Sequence, residues 1–300
     1  MNTKEVVGKA RSIGKCIPAF NVPHIPMVKP IAQAIADENS IALIQIARVE
    51  WEKMSAQSLE RVAEEYEKYQ VPGHTLLHLD HIPVIDEDYK RVAYEELVSR
   101  ALKAGYQSVM IDGSRLPLAE NIKVTAEISA MAHEAGVPCE GELGAVMGHE
   151  SGEIPPYEEI FAKKMGFTKL EEAKRFALES GCDWLSVAVG NIHGQIAEAV
   201  RNQKKPAARL DVEHIGALYQ MAGIPLVLHG GSGVQHECLL EAVKAGIAKI
   251  NVGTEMRQAY EFALLEKDGD IAYAQDKVYH KVRDYISGYL YNSDLTDEMK

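Results

Sequence analysis

Cysteine is scarce in this sequence, and the few cysteines present form no recognisable pattern. The chain of 300 residues contains four, with no CxxC spacing and no secretory segment at its start. This argues against a secreted scaffold held together by disulfides. We therefore expect reduced, mostly buried thiols in a cytoplasmic protein. The four are Cys16, Cys139, Cys182 and Cys238.

Positive charge and long apolar runs are also in short supply. Lysine and arginine number 32 against 44 acidic residues, and the formal charge of −12 argues against nucleic acid or an anionic membrane as a partner. No apolar run approaches the roughly 20 residues that span a bilayer. The charge does not argue against a small anionic ligand, because a few local donors can outweigh a diffuse surface charge.

What is present instead is a regular alternation of eight short apolar runs with longer segments of helical pattern. Most runs are continuously apolar in their middles, as is typical of parallel strands covered on both faces. The segments between them carry apolar residues at intervals of three and four, and several end in glycine, a common helix stop. The runs cover residues 16–22, 41–47, 74–81, 108–114, 138–144, 184–190, 225–231 and 249–254.

Eight strand–helix units in one chain predict an α/β fold of the (β/α)8 TIM-barrel type. The alternative, a doubly wound open sheet, lacks a GxGxxG after an early strand. We find no internal repeat, low-complexity tract or linker, so residues 1–300 are expected to form a single domain. The longest connection, roughly residues 145–168, cannot be one regular element, and loops of this length are usually functional or disordered.

Unusual polar residues fall at the C-terminal ends of the predicted strands, where a barrel gathers its catalytic groups. Three are histidines, His81, His193 and His229, and three converging imidazoles with one open position suit a catalytic zinc or similar divalent ion. Asp112 and Glu142 could orient these imidazoles or hold the metal in an alternative position. One histidine alone would be interpreted as a hydrogen-bonded core residue, but three at equivalent strand ends favour a metal site. The remaining members of the set are Asn21, Asp80 and Asn251.

Two glycine-rich stretches, "LHGGSG" (228–233) and "INVGTE" (250–255), follow the last two predicted strands. Glycines let backbone N–H groups approach an anion, and Ser232 and Thr254 add hydroxyl donors. Gly194 could add a third backbone N–H, and helix N-termini after the loops would favour an anion further. Either stretch alone would be interpreted as a tight turn. Both together, at strands seven and eight, predict a phosphate site.

A divalent metal beside a phosphate site indicates a phosphorylated substrate whose carbonyl or hydroxyl meets the metal. Lewis-acid stabilisation of an enediolate permits carbon–carbon cleavage by a retro-aldol route, which needs groups that move protons at the hydroxyl and at the enediolate carbon. Asp80 fits the first role. Glu150 fits the second if the long loop closes over the substrate. His78 lies three residues before His81, so strand alternation predicts opposite faces and a structural role for His78.

Taken together, these motifs resemble the class II, metal-dependent ketose-bisphosphate aldolases, the family of the fructose-1,6-bisphosphate and tagatose-1,6-bisphosphate aldolases. The resemblance covers almost the whole chain in the family's order, and the combination is highly specific. The matching stretches are "IPAFNV" (17–22), "HLDH" (78–81), "VMIDGS" (109–114), "EGELG" (140–144), "VGNIHG" (189–194), "RLDVEHI" (209–215), "PLVLHGGSG" (225–233) and "KINVGTEMRQAY" (249–260).

The resemblance implies zinc on His81, His193 and His229. It also implies that Asp112 and Glu142 are accessory metal-site carboxylates. Asp80 would act at the C4 hydroxyl, and Glu150 would be the mobile-loop glutamate for the C3 proton. The positions matching those that hold the dihydroxyacetone-phosphate half are Gly194, Gly230, Ser232, Asn251 and Thr254. The further substrate-site positions are Asn21, Gly253 and Arg257. A monovalent cation (Na⁺ or K⁺) near the phosphate loops, a homodimer or homotetramer, and a reach of Arg257 to a second phosphate in a neighbouring subunit are also implied.

Departures from the family's pattern concentrate around the substrate. Ala47 stands where the family usually has serine, Asn191 and Ile192 replace the residues that usually precede the histidine, and Met147 stands at a usual loop glycine. Gly253 stands where fructose-bisphosphate enzymes tend to have aspartate and tagatose-type enzymes a small residue. Loss of that carboxylate removes a contact that could read hydroxyl stereochemistry.

The sequence thus predicts reversible aldol cleavage of a ketose 1-phosphate or 1,6-bisphosphate, of fructose or tagatose type, releasing dihydroxyacetone phosphate. The first alternative is the same chemistry on a different aldehyde half, such as another sugar, a deoxy acid or another anionic end. A metal-dependent isomerase or epimerase could use the same enediolate without breaking a bond. A non-catalytic aldolase-like subunit is disfavoured because Asp80 and all three candidate ligands are present.

Overall fold

A closed barrel of parallel strands forms the centre of the protein. The computed structural model describes residues 1–144, 157–191 and 208–300. The strands in these ranges are β1 (Ile17–Asn21), β2 (Ala42–Ala47), β3 (Thr75–Asp80), β4 (Ser108–Ile111), β5 (Cys139–Leu143), β6 (Trp184–Val187), β7 (Leu226–Leu228) and β8 (Ile247–Val252). They pair in chain order, and β1 pairs with both β2 and β8, so the sheet closes. The predicted (β/α)8 TIM barrel is confirmed.

Helices follow most of these strands and surround the barrel. They are α1 (Thr3–Ser12), α2 (Val28–Asp37), α3 (Arg48–Lys53), α4 (Leu59–Tyr69), α5 (Tyr94–Lys103), α6 (Leu118–Glu134), α7 (Tyr157–Ala162), α8 (Leu170–Ser180), α9 (Val212–Ala222), α10 (His236–Ala245), α11 (Thr254–Glu266), α12 (Ile271–Asp284) and α13 (Leu295–Glu298). A 3₁₀ turn spans Ile25–Met27 and a π-helical turn spans Tyr285–Tyr289. None of the helices in the described ranges combines the length and apolar character needed to cross a membrane.

Local sequence signals account for where several helices begin and end. The Asn2 side chain accepts a hydrogen bond from the Glu5 N–H while the Glu5 carboxylate reaches back to the Asn2 N–H, which is a capping box at the start of α1. Asp270 likewise accepts from an N–H of the first turn of α12. Gly181 and Gly223 end α8 and α9 in the left-handed conformation, which favours glycine.

Strand side chains divide into an outer apolar layer and a barrel interior that changes character along its length. The outward residues pack against the helices; examples are Phe20, Ile44, Ile46, Leu77 and Leu79. A smaller apolar cluster fills the interior at the N-terminal end and includes Ile17, Leu43, Leu76, Trp184 and Val227, closed from outside by Val6 and Val7 of α1. Above it the interior becomes polar, and the buried residues there include Gln45, His78, Glu140 and Lys249. The apolar floor supports the site, and the polar level carries it.

Buried polar links also tie the helices to the barrel floor. The Asp183 carboxylate accepts hydrogen bonds from the Cys139 N–H and the His133 ring at 2.8 Å each, and it pairs with Lys4 at 2.7 Å. Burial pushes the pKa of Asp183 up, but these partners outweigh it and lower the pKa. All four cysteines are free thiols, and Cys16, Cys139 and Cys182 are buried, as the sequence predicts.

Candidate active site and metal centre

Predicted site residues from six different strands lie together at the C-terminal end of the barrel. Each lies within one residue of the C-terminal end of its strand, so the barrel brings together positions more than a hundred residues apart. Those in the described ranges are Asn21, Asp80, His81, Asp112, Glu142, His229 and Asn251. Three predicted site residues, Glu150, His193 and Gly194, lie outside the described residues.

Two overlapping groups of side chains at this end offer donor atoms for a metal ion. Asp80, His81 and His229 form one group, and His81, Asp112 and Glu142 form the other, with the ligand atoms of each group within 4.8 Å of one another. His81 Nδ1 lies 3.5 Å from Asp112 Oδ2 and 3.7 Å from Glu142 Oε2. Ligands that share one zinc ion at about 2.0–2.2 Å lie roughly 3.3–3.6 Å apart, so the first distance falls within this range and the second lies just above it.

Hydrogen bonding within the group also fits a cation. His229 Nδ1 lies 3.3 Å from Glu142 Oε2, and the rings of His81 and His229 meet edge to face with centroids 4.4 Å apart. Glu142 Oε2 is buried and accepts no hydrogen bond from the described residues. A buried carboxylate oxygen without a donor is costly, and imidazole nitrogens with carboxylate oxygens are the donors that zinc and similar ions take.

The electrostatics of the group indicate a surplus of negative charge. Burial lowers the pKa of His81, but the carboxylates of Asp80, Asp112 and Glu142 raise it to about 10. Burial and the nearby Asp112 charge raise the pKa of Glu142. Burial and the charge of His81 lower the pKa of His229, but neighbouring glutamates outweigh them and raise it. His81 thus takes up a proton among these carboxylates, and a bound metal cation would displace that proton.

Asp80 is held as an ionised hydrogen-bond acceptor. Its Oδ1 accepts from Asn251 Nδ2 at 2.8 Å, and its Oδ2 accepts from Asn21 Nδ2 at 3.0 Å and Gln45 Nε2 at 3.2 Å. Burial pushes the pKa of Asp80 up, but the positive charges nearby, chiefly on His81, outweigh it and lower the pKa. A carboxylate fixed in this way beside the candidate metal ligands is suited to accept a proton.

His229 is oriented by a residue that the sequence interpretation missed. Its Nε2–H donates to Glu140 Oε1 at 2.7 Å, so Nδ1 is the nitrogen that faces the metal ligands. A carboxylate behind a histidine in this way fixes the ring and its tautomer in metal sites. Asn191, noted above as a departure from the family pattern, donates to the His229 carbonyl at 3.0 Å and so anchors the same residue from the backbone side.

The expectation that His78 and His81 point to opposite faces is wrong. Strand β3 ends at Asp80, and His81 has a φ of 31°, so simple strand alternation does not apply to it. Its ring turns to meet His229 across the barrel mouth. His78 projects into the interior, bonds Ser108 Oγ at 2.8 Å and lies 3.7 Å from Glu140, and burial lowers its pKa to about 3. His78 is therefore a neutral residue beneath the site, which agrees with its predicted structural role.

A second carboxylate, Glu50, lies beside Asp80 and was also missed. Glu50 Oε2 accepts the Ala47 N–H at 2.8 Å and Asn21 Nδ2 at 3.2 Å, so the Asn21 amide bridges Glu50 and Asp80. Burial raises the pKa of Glu50 to about 8. The available signal was an acidic residue three positions after the end of an apolar strand, but such a residue in a first helical turn is common.

The two glycine-rich stretches lie next to each other, and the second leads directly into the N-terminus of α11. The Gly231 N–H donates to the Asn251 carbonyl at 3.0 Å, and a Cβ at Gly231 would lie 2.4 Å from Ile250 Cγ2. Only glycine fits this approach. The Glu255 N–H donates to Ser232 Oγ at 3.5 Å, Thr254 is the first residue of α11, and Gly230 has a φ of 65°. A helix N-terminus beside two such turns suits an anion.

Gly253 and Arg257 occupy the start of the same helix. A Cβ at Gly253 would lie 3.3 Å from Asn21 Oδ1, so a side chain at this position would enter the space beside Asn21. Arg257 is buried within its own chain and pairs with Glu261 at 2.6 Å. The predicted reach of Arg257 into a neighbouring subunit therefore stays a prediction.

Comparison with known proteins identifies the family. The family model of class II fructose-bisphosphate aldolase matches residues 1–292. A fructose-bisphosphate aldolase of Streptococcus pneumoniae is 30% identical over 263 residues, covering 87% of this chain and 80% of the relative. Among solved structures, the YdjI aldolase from Escherichia coli K12 superposes with a TM-score of 0.75 at 26% identity, covering 97% of this chain and 96% of that one. A putative fructose-1,6-bisphosphate aldolase from Coccidioides immitis gives 0.77 at 23% identity, covering 99% and 98%. The chain therefore belongs to the class II fructose-bisphosphate aldolase family of metal-dependent carbon–carbon lyases.

Proposed function

We propose that this protein reversibly cleaves a ketose 1-phosphate or 1,6-bisphosphate into dihydroxyacetone phosphate and an aldehyde. The observation that carries the proposal is the group of Asp80, His81 and His229, whose ligand atoms lie within 4.8 Å of one another at the mouth of the barrel. Family membership and the anion-suited turns beside this group support it. We further propose that residues 1–300 act as a single domain within a homodimer or homotetramer.

Zinc is the proposed metal, with His81, His193 and His229 as its ligands and Asp112 and Glu142 as accessory carboxylates. A bound zinc ion would supply Lewis-acid chemistry, polarising the substrate carbonyl near the bond that breaks. The spacing of the described donors and the buried, donor-free oxygen of Glu142 support this choice. A monovalent cation, Na⁺ or K⁺, is proposed near the phosphate turns.

Asp80 is the proposed acid/base at the C4 hydroxyl. Three side-chain amide groups hold its carboxylate in one orientation and nearby positive charges keep it ionised, so it can take the hydroxyl proton as the C3–C4 bond breaks. In the reverse direction Asp80 returns that proton to the new hydroxyl. Glu150 is the proposed group for the proton at C3.

The phosphate of the dihydroxyacetone-phosphate half is proposed to bind at the turns after β7 and β8. The proposal is supported by the glycine-rich turn after β7, which lies against the N-terminus of α11, a helix of 13 residues, through the bond from the Glu255 N–H to Ser232 Oγ. The proposed contacts are Gly194, Gly230, Ser232, Asn251 and Thr254, while Asn21, Gly253 and Arg257 line the remainder of the substrate site.

A second candidate is the same reaction on a different aldehyde half. It is favoured by one feature: the Glu50 carboxyl shares the Asn21 amide with Asp80, while Gly253 opposite offers no side chain. A carboxyl here can bond hydroxyls of the aldehyde half, and in its ionised form it repels an anionic end placed close to it. The similarity to the YdjI aldolase, whose description names no fructose bisphosphate, is compatible with this candidate.

The deciding experiment is a panel of ketose 1-phosphates and 1,6-bisphosphates incubated with zinc-loaded protein. Dihydroxyacetone phosphate is detected by a coupled assay, and mass analysis identifies the second product. Release from at least one member is expected, and the preferred member identifies the aldehyde half. A product that retains every carbon would point to an isomerase or epimerase, and no reaction with any member would refute the proposal.

Two substitutions of aspartate by asparagine provide a matched comparison for the same assay. Asp80→Asn should lower kcat by about 100-fold or more, because a proton-transfer group is lost. Asp270→Asn, at the cap of α12, should leave kcat unchanged, because asparagine caps a helix as well as aspartate does. Equal rates for Asp80→Asn and the wild type would exclude the proposed acid/base.

A further inference from the structure

A continuous chain of buried hydrogen bonds links the candidate zinc ligand His229 to the candidate acid/base Asp80. His229 Nε2 bonds Glu140 Oε1 at 2.7 Å, and Glu140 Oε2 meets Lys249 Nζ at 2.8 Å. Lys249 Nζ bonds Asn251 Oδ1 at 2.7 Å, and Asn251 Nδ2 bonds Asp80 Oδ1 at 2.8 Å. The residues come from β3, β5 and β8 and from the turn after β7, and none is more than 6% exposed.

The direction of every bond in this chain follows from Lys249. An ammonium group only donates, so Glu140 and the Asn251 carbonyl oxygen must both accept from it. With its oxygen committed to Lys249, the Asn251 amide presents its NH₂ group to Asp80, which must therefore accept. At the other end, Glu140 accepts the Nε2–H of His229 and leaves Nδ1 for the metal.

Lys249 is also buried against the Glu140 carboxylate. It is the only fully buried lysine in the described ranges. Glu140 accepts a further hydrogen bond from Trp184 Nε1 at 2.8 Å. Burial pushes the pKa of Glu140 up, but the charge of Lys249 and the bond from His229 outweigh it, so the pKa is lowered. A buried ion pair of this kind costs desolvation, and replacement by apolar residues is often neutral for stability. The pair therefore matters here for the orientation of the side chains that it bonds rather than for stability.

We propose that Glu140 and Lys249 are positioning residues, Glu140 fixing the metal-binding tautomer of His229 and Lys249 fixing the Asn251 amide that holds Asp80. The inference rests on the proposed function, since it takes His229 as a zinc ligand and Asp80 as the acid/base. It assigns one residue of the ion pair to metal binding and the other to proton transfer.

The two assignments are separated by measuring zinc affinity and kcat independently. Glu140→Gln should weaken zinc binding by about 10- to 100-fold, measured by competition with a chromophoric chelator, and kcat should recover when zinc is saturating. Lys249→Met should lower kcat by about 10- to 100-fold even at saturating zinc, because the Asn251 amide is free to turn away from Asp80. The substrate is whichever ketose phosphate the wild-type protein cleaves.

Controls distinguish positioning from general stability. Leu43→Ala makes a cavity in the apolar floor of the barrel and should lower the thermal midpoint while zinc affinity and kcat stay at wild-type values. If either single variant does not fold, the double variant Glu140→Gln, Lys249→Met leaves no unpaired buried charge and should show both defects together.

The outcomes separate this inference from the proposed function. Wild-type zinc affinity in Glu140→Gln, or wild-type kcat in zinc-saturated Lys249→Met, overturns the corresponding assignment. Equal losses in Leu43→Ala overturn both, because the effect is then one of stability. A wild-type protein that cleaves no ketose phosphate defeats the proposed function and the Lys249 assignment with it, whereas the zinc measurement on Glu140→Gln needs no substrate and still tests the Glu140 assignment.

Discussion

Replacing Glu50 by glutamine is predicted to remove a pH dependence of stability that burial of this carboxyl imposes. Glu50 is 7% exposed, and burial raises its pKa from 4.5 to about 8. Between those pH values the folded protein keeps a proton that the unfolded chain has released, so the free energy of unfolding falls as the pH rises. Glutamine has no such proton, and its amide oxygen can still accept from Ala47 and Asn21.

The size of the effect follows from the two pKa values. A carboxyl that titrates at about 8 when folded and 4.5 when unfolded makes the free energy of unfolding about 3 kcal/mol smaller at pH 8 than at pH 5. Urea unfolding of chelator-treated wild-type protein and Glu50→Gln across this range measures it, because all other titrating groups cancel in the difference. The variant should gain stability relative to the wild type as the pH rises.

An exposed glutamate provides the control for this experiment. Glu64→Gln, on the exposed face of α4, should give a curve parallel to the wild type, because an exposed carboxyl is solvated in both states. If the free energy of unfolding of Glu50→Gln also changes with pH in parallel with that of the wild type, the pKa of the buried Glu50 carboxyl is not raised. The bridge through Asn21 would then hold Glu50 as an ionised partner of Asp80 rather than as a carboxylic acid.

Other predictions concern packing, acid stability and the metal. Gly141→Ala should destabilise the protein by about 1–3 kcal/mol in thermal unfolding, because the new Cβ would lie 2.8 Å from Phe176 Cε1. Asp183→Asn should lower the free energy of unfolding at pH 7, and the deficit should shrink below the ordinary pKa of 3.8, where the wild type loses the same charge; a constant deficit would contradict this. Chelation should abolish turnover and added zinc restore it, and His229→Ala should no longer retain stoichiometric zinc by elemental analysis.

The barrel was predictable because its signals are local. The run at 74–81 became β3 at Thr75–Asp80, and the helix-patterned segment between the runs at 108–114 and 138–144 became α6 at Leu118–Glu134. Each pattern is set by neighbours within one element, and the rule that strand ends of a barrel share one mouth then gathers the polar residues. That rule was enough to bring Asp80, His81 and His229 together from the sequence.

The interior polar residues were not predictable in the same way. Glu140 and Lys249 lie inside strands rather than at their ends, and both were present in motifs quoted for the family resemblance. Strands β5 and β8 are not neighbours in the sheet, so the 2.8 Å contact between these two residues crosses the barrel interior. It depends on which face of each strand points inward and at what height, which no local pattern specifies.

The polar interior also gives a reason to expect that a bound metal would contribute to stability as well as to catalysis. Unpaired buried charge costs several kcal/mol, so each carboxylate inside the barrel needs a positive partner. Lys249 is the positively charged partner of Glu140 in the middle of the barrel. At the mouth the carboxylates face His81, whose pKa they raise to about 10, so a proton on His81 takes the place of a cation there. A divalent ion bound there would compete with that proton for the same nitrogens, so we expect metal affinity, and any stability that the metal confers, to fall as the pH falls.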